Sequence, residues 1–254
     1  MVINSKQKQA LIDKFFQAIS NLSKNIDNNK KLFGFFSYNA YFSLYDVITK
    51  YAFPEERYLI NRYRKLIRKY SDWLYKDYIS ITQLNCLINS GDGKLKNSIL
   101  REPFQQKINQ KGLFAIQYGI IDSPEKYDLT LDELKVGLDT DQMEEFERKR
   151  NLIIKARYDS LFYYMRCLCV HGLQFPTPNA LNSKQDGYTP MYFVMSEIND
   201  TNGKISNPKY ILWFPPNLIS NLFKECVKNL YKDSVVNPED IFKPYYVCWI
   251  DQFK

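Results

Sequence analysis

The chain has one histidine, His171, five residues after Arg166 in the run Arg166-Cys167-Leu168-Cys169-Val170-His171-Gly172. An imidazole gives and takes protons near neutrality. A guanidinium is a permanent cation whose planar fork matches paired anionic oxygens. Gly172 reads as the residue just past a helix C-cap, where a left-handed conformation favours glycine. His171 then falls in the last turn, where unpaired carbonyls favour the protonated ring and raise its pKa. Proton transfer beside a held anion is the chemistry that these residue types offer at this spacing.

Two residues shortly before Arg166, Asp159 and Tyr163, fall on roughly its side of a helix. They suit buffering of the guanidinium or contact with its ligand; ordinary helix-surface polarity is the alternative. Cys167 and Cys169 point about 200° apart on a helix, cannot pair, and read as small apolar fillers. The five cysteines, Cys86, Cys167, Cys169, Cys226 and Cys248, contain no CxxC pair. With a single histidine they make neither a zinc site nor a disulfide framework, so no metal or other cofactor is expected. Gly91-Asp92-Gly93-Lys94 lacks the spacing of a phosphate-binding P-loop, and no GxGxxG occurs. Serine and cysteine hydrolases find no support, because the lone histidine has no nucleophile that sequence alone can place beside it.

The elements that must position this run follow from periodicity. Residues 6–26 place Ala10, Leu11, Phe15, Ala18, Ile19 and Leu22 at helical spacing. Residues 34–52 predict a more buried helix; Leu32 to Phe53 is apolar but interrupted by Asn39, Asp46 and Lys50, which favours a buried helix over a membrane span. Pro54 opens a helix expected to run to about Tyr78, with Glu55 and Glu56 in its first turn and an apolar stripe of Leu59, Tyr63, Leu66, Tyr70 and Trp73. Gly91-Asp92-Gly93 and Ser123-Pro124 mark loops. Thr130 with Glu133 forms a capping box, and Asp139 with Gln142 resembles a second. From Asp139 to His171 there is neither glycine nor proline. That permits one motif-carrying helix over about 141–171, or two with a joint near Asp159. Tyr158, Leu161, Met165 and Leu168 form its core stripe, which leaves Arg166 and His171 on the flanks, available to another surface or another chain. Met191–Ile198 and Lys209–Phe214 predict a β-hairpin (about 191–214) joined around Asn202-Gly203, and a helix follows from about Asn217 to Tyr231. The fold class is mainly α: a helical bundle with one β-hairpin in the C-terminal third. No repeat or linker divides residues 1–254, so a single domain is expected.

Of the 254 residues, 45% are hydrophobic and 25% charged, the balance of a folded protein. Aromatic content is 16%, part of which an AT-rich coding bias would produce by itself. The N-terminus lacks the apolar core of a signal peptide, which points to the cytoplasm. A net charge of +7 attracts polyanions. Arg57, Arg62, Arg64, Lys65, Arg68 and Lys69 interleave with Tyr63, Tyr70 and Trp73 on one helix. Such a face binds a nucleic-acid backbone and stacks bases, with Arg64, Lys65 and Arg68 as the candidate contacts; a solvated outer face is the alternative.

Arg166-Cys-Leu-Cys-Val-His171, with Gly172 behind it at the end of a long helix, resembles the R-x4-6-H motif of the HEPN superfamily. The resemblance implies a helical, metal-independent endoribonuclease of the kind found in toxin–antitoxin and antiviral defence systems. Single-stranded RNA would supply its own nucleophile, the 2′-hydroxyl. His171 would act as general base or general acid, and Arg166 would hold the scissile phosphate. One histidine per chain cannot fill both proton-transfer roles, so the resemblance implies a homodimer, with an antitoxin or defence partner protein in addition. The sequence departs from the family at Cys167, where asparagine is frequent. That departure favours the alternative of a catalytically silent HEPN-like module that binds RNA or protein. An unrelated helical scaffold, with His171 structural, is the third reading.

Overall fold

The computed structural model describes residues 4–29, 35–89, 95–116, 119–172, 189–195, 198–199, 204–205 and 208–237. Its helices, in chain order, are α1 (Ser5–Asn28), α2 (Phe35–Ala52), α3 (Leu59–Tyr70), α4 (Ile81–Asn89), α5 (Arg101–Gln110), α6 (Leu131–Lys135), α7 (Thr140–Ile153), α8 (Tyr158–Cys167) and α9 (Pro216–Val236). Its strands are β1 (Tyr78–Ile79), β2 (Gly119–Ile121), β3 (Leu129–Thr130), β4 (Met191–Met195), β5 (Ile198–Asn199), β6 (Lys204–Ile205) and β7 (Lys209–Trp213). The protein is mainly α, as the sequence patterns predict, with small antiparallel sheets. Among the described residues no helix is long and apolar enough to cross a membrane.

The chain packs as two compact units, a subdivision that no linker announces. One comprises Met1–Trp73, Tyr163–Asp186 and Pro216–Lys254; the other comprises Leu74–Phe162 and Gly187–Pro215.

The first unit is helical. Asn4 and Gln7 cap α1 reciprocally, each side chain accepting from the other residue's backbone N–H. The α1 helix packs on α2 and α9, and α3 packs on the same pair. Its inward residues are Ile12, Phe16, Ile19 and Ser23, so the buried face is turned by one position from the predicted stripe, and Leu22 is 49% exposed. Apolar residues lie on both faces, and the grooves of α2 and α9 select between them. The core of the unit is aromatic. Tyr45 meets Phe223 edge to face at 5.1 Å and donates its hydroxyl to the Ile219 carbonyl at 3.0 Å. Tyr41 also packs on Phe223, and Phe16 lies edge-on to Tyr51. The high tyrosine content therefore has a structural use: buried rings fill volume while their hydroxyls satisfy helix carbonyls.

The α3 helix is shorter than predicted at both ends. Glu56 does not enter its first turn: the carboxylate takes Lys65 at 2.5 Å and the Asn61 amide from a position ahead of the helix. At the other end Ser71 is extended, and its hydroxyl bonds back to the Ile67 carbonyl at 2.7 Å, which stops the helix.

The second unit joins α4–α7 to the sheets. The predicted hairpin is present as β4 and β7, paired from Met191↔Trp213 to Met195↔Lys209, with β5 and β6 paired beyond it. The Asn202-Gly203 turn and Gly91-Asp92-Gly93 lie outside the described residues. The sequence does not predict β2, which adds to the open edge of β4 with Ile120↔Phe193 in register. Both predicted capping boxes form, at Thr130/Glu133 and Asp139/Gln142. Ile79, Leu84, Phe104, Leu134, Phe146 and Tyr192 are fully buried in one cluster.

The motif-carrying helix is not continuous over 141–171. The α7 helix ends at Ile153, a 3-10 turn covers Ile154–Ala156, and Arg157 is extended (φ −79°, ψ 146°) before α8 begins. The joint falls slightly earlier than the alternative placed near Asp159. Its cause is local and polar: Arg157 forks onto Asp159, and the Ser160 hydroxyl caps the Ile154 carbonyl at 2.6 Å.

Candidate active site

The last turns of α8 carry the motif. Tyr163–Cys167 belong to the first compact unit, where Asp46 on α2 and Tyr63 on α3 meet them. The guanidinium of Arg166 gives its Nη2 to Oδ2 of Asp46 at 2.5 Å. The Tyr63 hydroxyl donates to the other oxygen, Oδ1, at 2.7 Å, and also lies 3.1 Å from the Phe42 carbonyl. One carboxylate thus ties three helices together.

Helical spacing predicts an outward Arg166; the structure turns it inward, with its side chain 12% exposed and that of Asp46 30% exposed. A cation this sheltered needs a counter-charge. Burial works against the charged guanidinium, but the hydrogen bond and charge of Asp46 outweigh it and hold the pKa above the ordinary arginine value. Tyr63 is fully buried, and burial followed by the Asp46 charge pushes its phenol well up. It stays a hydrogen-bond donor at any physiological pH.

Tyr163 stands beside this trio. Its ring meets that of Tyr63 edge to face at 5.5 Å. Burial and a hydrogen bond with the Cys167 thiol push its pKa up to about 12. Cys167, half-buried, is therefore engaged with Tyr163 and with Arg166. Tyr163 and Cys167 thus both lie beside Arg166. Asp159 goes elsewhere: its carboxylate is fully buried and taken by Arg157, with Nε–Oδ1 at 2.8 Å and Nη2–Oδ2 at 2.7 Å. The buffering partner of Arg166 is Asp46 instead.

After Cys167 the helix changes gait. Leu168–Gly172 form a π turn that packs on α2. This replaces the α-helical end with a C-cap glycine that the sequence suggests. An α-helix sets positions 166 and 171 about 140° apart. The wider i→i+5 winding of a π turn narrows that angle, and such turns are frequent at functional sites. It also shifts the buried face: Met165 and Cys169 are buried, while Leu168, predicted for the core, is 53% exposed. Cys169 is the small filler expected, and burial pushes its thiol up to about 12. The side chain of His171 lies outside the described residues.

The basic face of α3 belongs to the same unit. Lys65 is held by Glu56, and Lys69 by Asp233 at 2.7 Å. Arg64 is near enough to Tyr164 on α8 to favour its ionised form, though burial of that ring dominates and raises its pKa. Arg68 is exposed on the same helix. Among the described residues no group of His, Cys, Asp and Glu is arranged to hold a metal ion.

Sequence reasoning missed the roles of Asp46 and Tyr63. A signal was present: an aspartate inside a run of buried Tyr, Phe and Ile must have a cationic or hydrogen-bonding partner, and Arg166 is one that the fold supplies. No family model, curated protein or solved structure matches this chain.

Proposed function

We propose that this protein is a HEPN-type endoribonuclease that cleaves single-stranded RNA without a metal ion, as a homodimer. The observation that supports this best is the seat of Arg166: a sheltered, carboxylate-held guanidinium set where an α-helix becomes a π turn, five residues before the only histidine. Arg166 would neutralise the charge that grows on the scissile phosphate. The 2′-hydroxyl oxygen attacks the adjacent phosphorus as its proton passes to a base, and the 5′-oxygen leaves as it takes a proton from an acid. The products are a 2′,3′-cyclic phosphate and a 5′-hydroxyl. One His171 would serve as base and a second, from the other copy, as acid. A role as a cytoplasmic toxin or defence effector, with an inhibitory partner protein, is consistent with that chemistry.

A second reading, a catalytically silent RNA- or protein-binding module, is favoured by one observation: the position where asparagine is frequent holds Cys167, a thiol in place of an amide.

The test is cleavage of a single-stranded RNA by purified protein in EDTA. Cleavage is expected for the wild type and lost in His171→Ala with the fold intact, and the all-deoxy strand should resist. Dependence on magnesium, or persistence in His171→Ala, overturns the mechanism; RNA binding without cleavage supports the silent module.

A further inference from the structure

We infer that the groove between α1 and α9 docks an acidic amphipathic helix of a partner protein. The two helices run in opposite directions: Tyr231 donates its hydroxyl to Oδ1 of Asp13 at 2.9 Å, and Lys224 pairs with Asp27 farther along α1. Between these ties lies an open groove of about 560 Å³. Its floor is apolar: Phe16, Phe223 and Val227, with the ring of Tyr231, 37% exposed, edge-on to Phe16 at 5.3 Å. Along α1 the lining runs from Asp13 to Lys24, about 16 Å or three turns. That length suits a short helix laid against two others with its apolar stripe inward. The walls set the charge. Lys24 on α1 and Lys228 on α9 line the same groove, and both are exposed. Among the described residues neither has an acidic partner, because Asp27 is taken by Lys224 and Asp13 by Tyr231. Two like charges on facing walls repel each other, and anions between them relieve both. A helix with carboxylates on both flanks of its apolar face would meet one lysine on each wall, which selects acidic partners and speeds their encounter. A second copy of this chain is disfavoured by its own net charge of +7. None of the residues placed around Arg166 lines the groove, so docking there is separable from RNA cleavage.

The test is a display library of three-turn helical peptides, selected on the full chain. Enriched peptides should carry apolar residues at i, i+3 or i+4, and i+7, with Asp or Glu on both flanks. Lys24→Glu combined with Lys228→Glu should weaken their binding by about 10-fold or more, chiefly through the association rate. Peptides whose acids are changed to lysine should recover affinity for that double variant. Ser20→Trp, which fills the groove without changing its charge, should abolish binding. Melting temperatures check that each variant is folded; where Ser20→Trp is not, the charge exchange decides. Neutral or basic enriched peptides, binding that survives the double variant, or no enrichment at all overturns the inference. Retention of a fatty acid or of single-stranded RNA by the two lysines, in place of any peptide, overturns it as well.

Discussion

Tyr63 donates its hydroxyl to the oxygen of Asp46 that Arg166 leaves open, at 2.7 Å and from a fully buried ring. The hydroxyl is the only difference between tyrosine and phenylalanine, so Tyr63→Phe isolates its contribution. Oδ1 of Asp46 would lose the hydrogen bond at 2.7 Å, and the Phe42 carbonyl the hydroxyl 3.1 Å away. A hydrogen bond to a charged group is worth about 1.5–3 kcal/mol, and a loss of up to that size is expected in urea unfolding with an unchanged m value. Stability equal to wild type would show that water replaces the hydroxyl there.

A pH dependence is expected from the second unit. Asp128 is fully buried, with both oxygens 2.9 Å from the Tyr192 hydroxyl, the Tyr158 hydroxyl on Oδ2 and the Ile81 N–H on Oδ1 at 2.9 Å. Burial outweighs these donors and pushes its pKa up from 3.8 to about 7. The folded state therefore holds a proton over a range where the unfolded state has released it. The stability gained from this group is complete below about pH 4, is lost as the pH rises towards 7, and is flat above that, with an upper bound of about 4 kcal/mol. Urea unfolding from pH 5 to pH 8 should show this fall, and Asp128→Asn should remove it. An identical slope in the variant would mean that Asp128 is ionised throughout.

If the α3 face carries RNA, the salt dependence of binding will show which cations take part. Removing a cation that neutralises one phosphate lowers the slope of log affinity against log salt by about 1. The Lys65 ammonium lies 2.5 Å from Glu56, whose pKa is drawn down to about 2, chiefly by the hydrogen bond from Lys65. Lys65→Ala should therefore lower the affinity and the slope by less than a full phosphate contact, and Lys65→Ala with Arg64→Ala by more. Fluorescence anisotropy with a single-stranded RNA on the His171→Ala background measures both, and the triple change with Arg68 should weaken binding further. No effect from the triple change would remove α3 from the RNA path.

The composite-site scheme requires two copies. Light scattering should give a dimer mass at micromolar concentration. Leu168, the first residue of the π turn and 53% exposed, is a candidate for the contact. A charge there, as in Leu168→Glu, should shift the mass towards the monomer without lowering the melting temperature. A wild-type monomer across the whole range would leave each cleft with one histidine and defeat the scheme.

What the sequence by itself determined was whatever depends on neighbours a few positions away. The capping boxes at Thr130/Glu133 and Asp139/Gln142 are bonds between residues three apart, readable as written. The β4–β7 hairpin follows from alternation on either side of Asn202-Gly203, and α2 from a run too apolar to leave in water. The Arg166–His171 spacing is likewise legible. The tertiary structure alone decided the rest. It turned α1 to bury Ile12 and Phe16 instead of Leu11 and Phe15, because both faces were apolar and its neighbours chose between them. It held Arg157 in a β-bridge with Ile79 where the helix breaks, and it placed β2 on an edge that no local pattern reserves for it. Above all it brought Asp46 to Arg166 from 120 residues away. A pairing at that distance leaves no period or spacing in the sequence. It arises because α2 and the last turns of α8 belong to one unit, where a sheltered guanidinium is stable only beside a carboxylate.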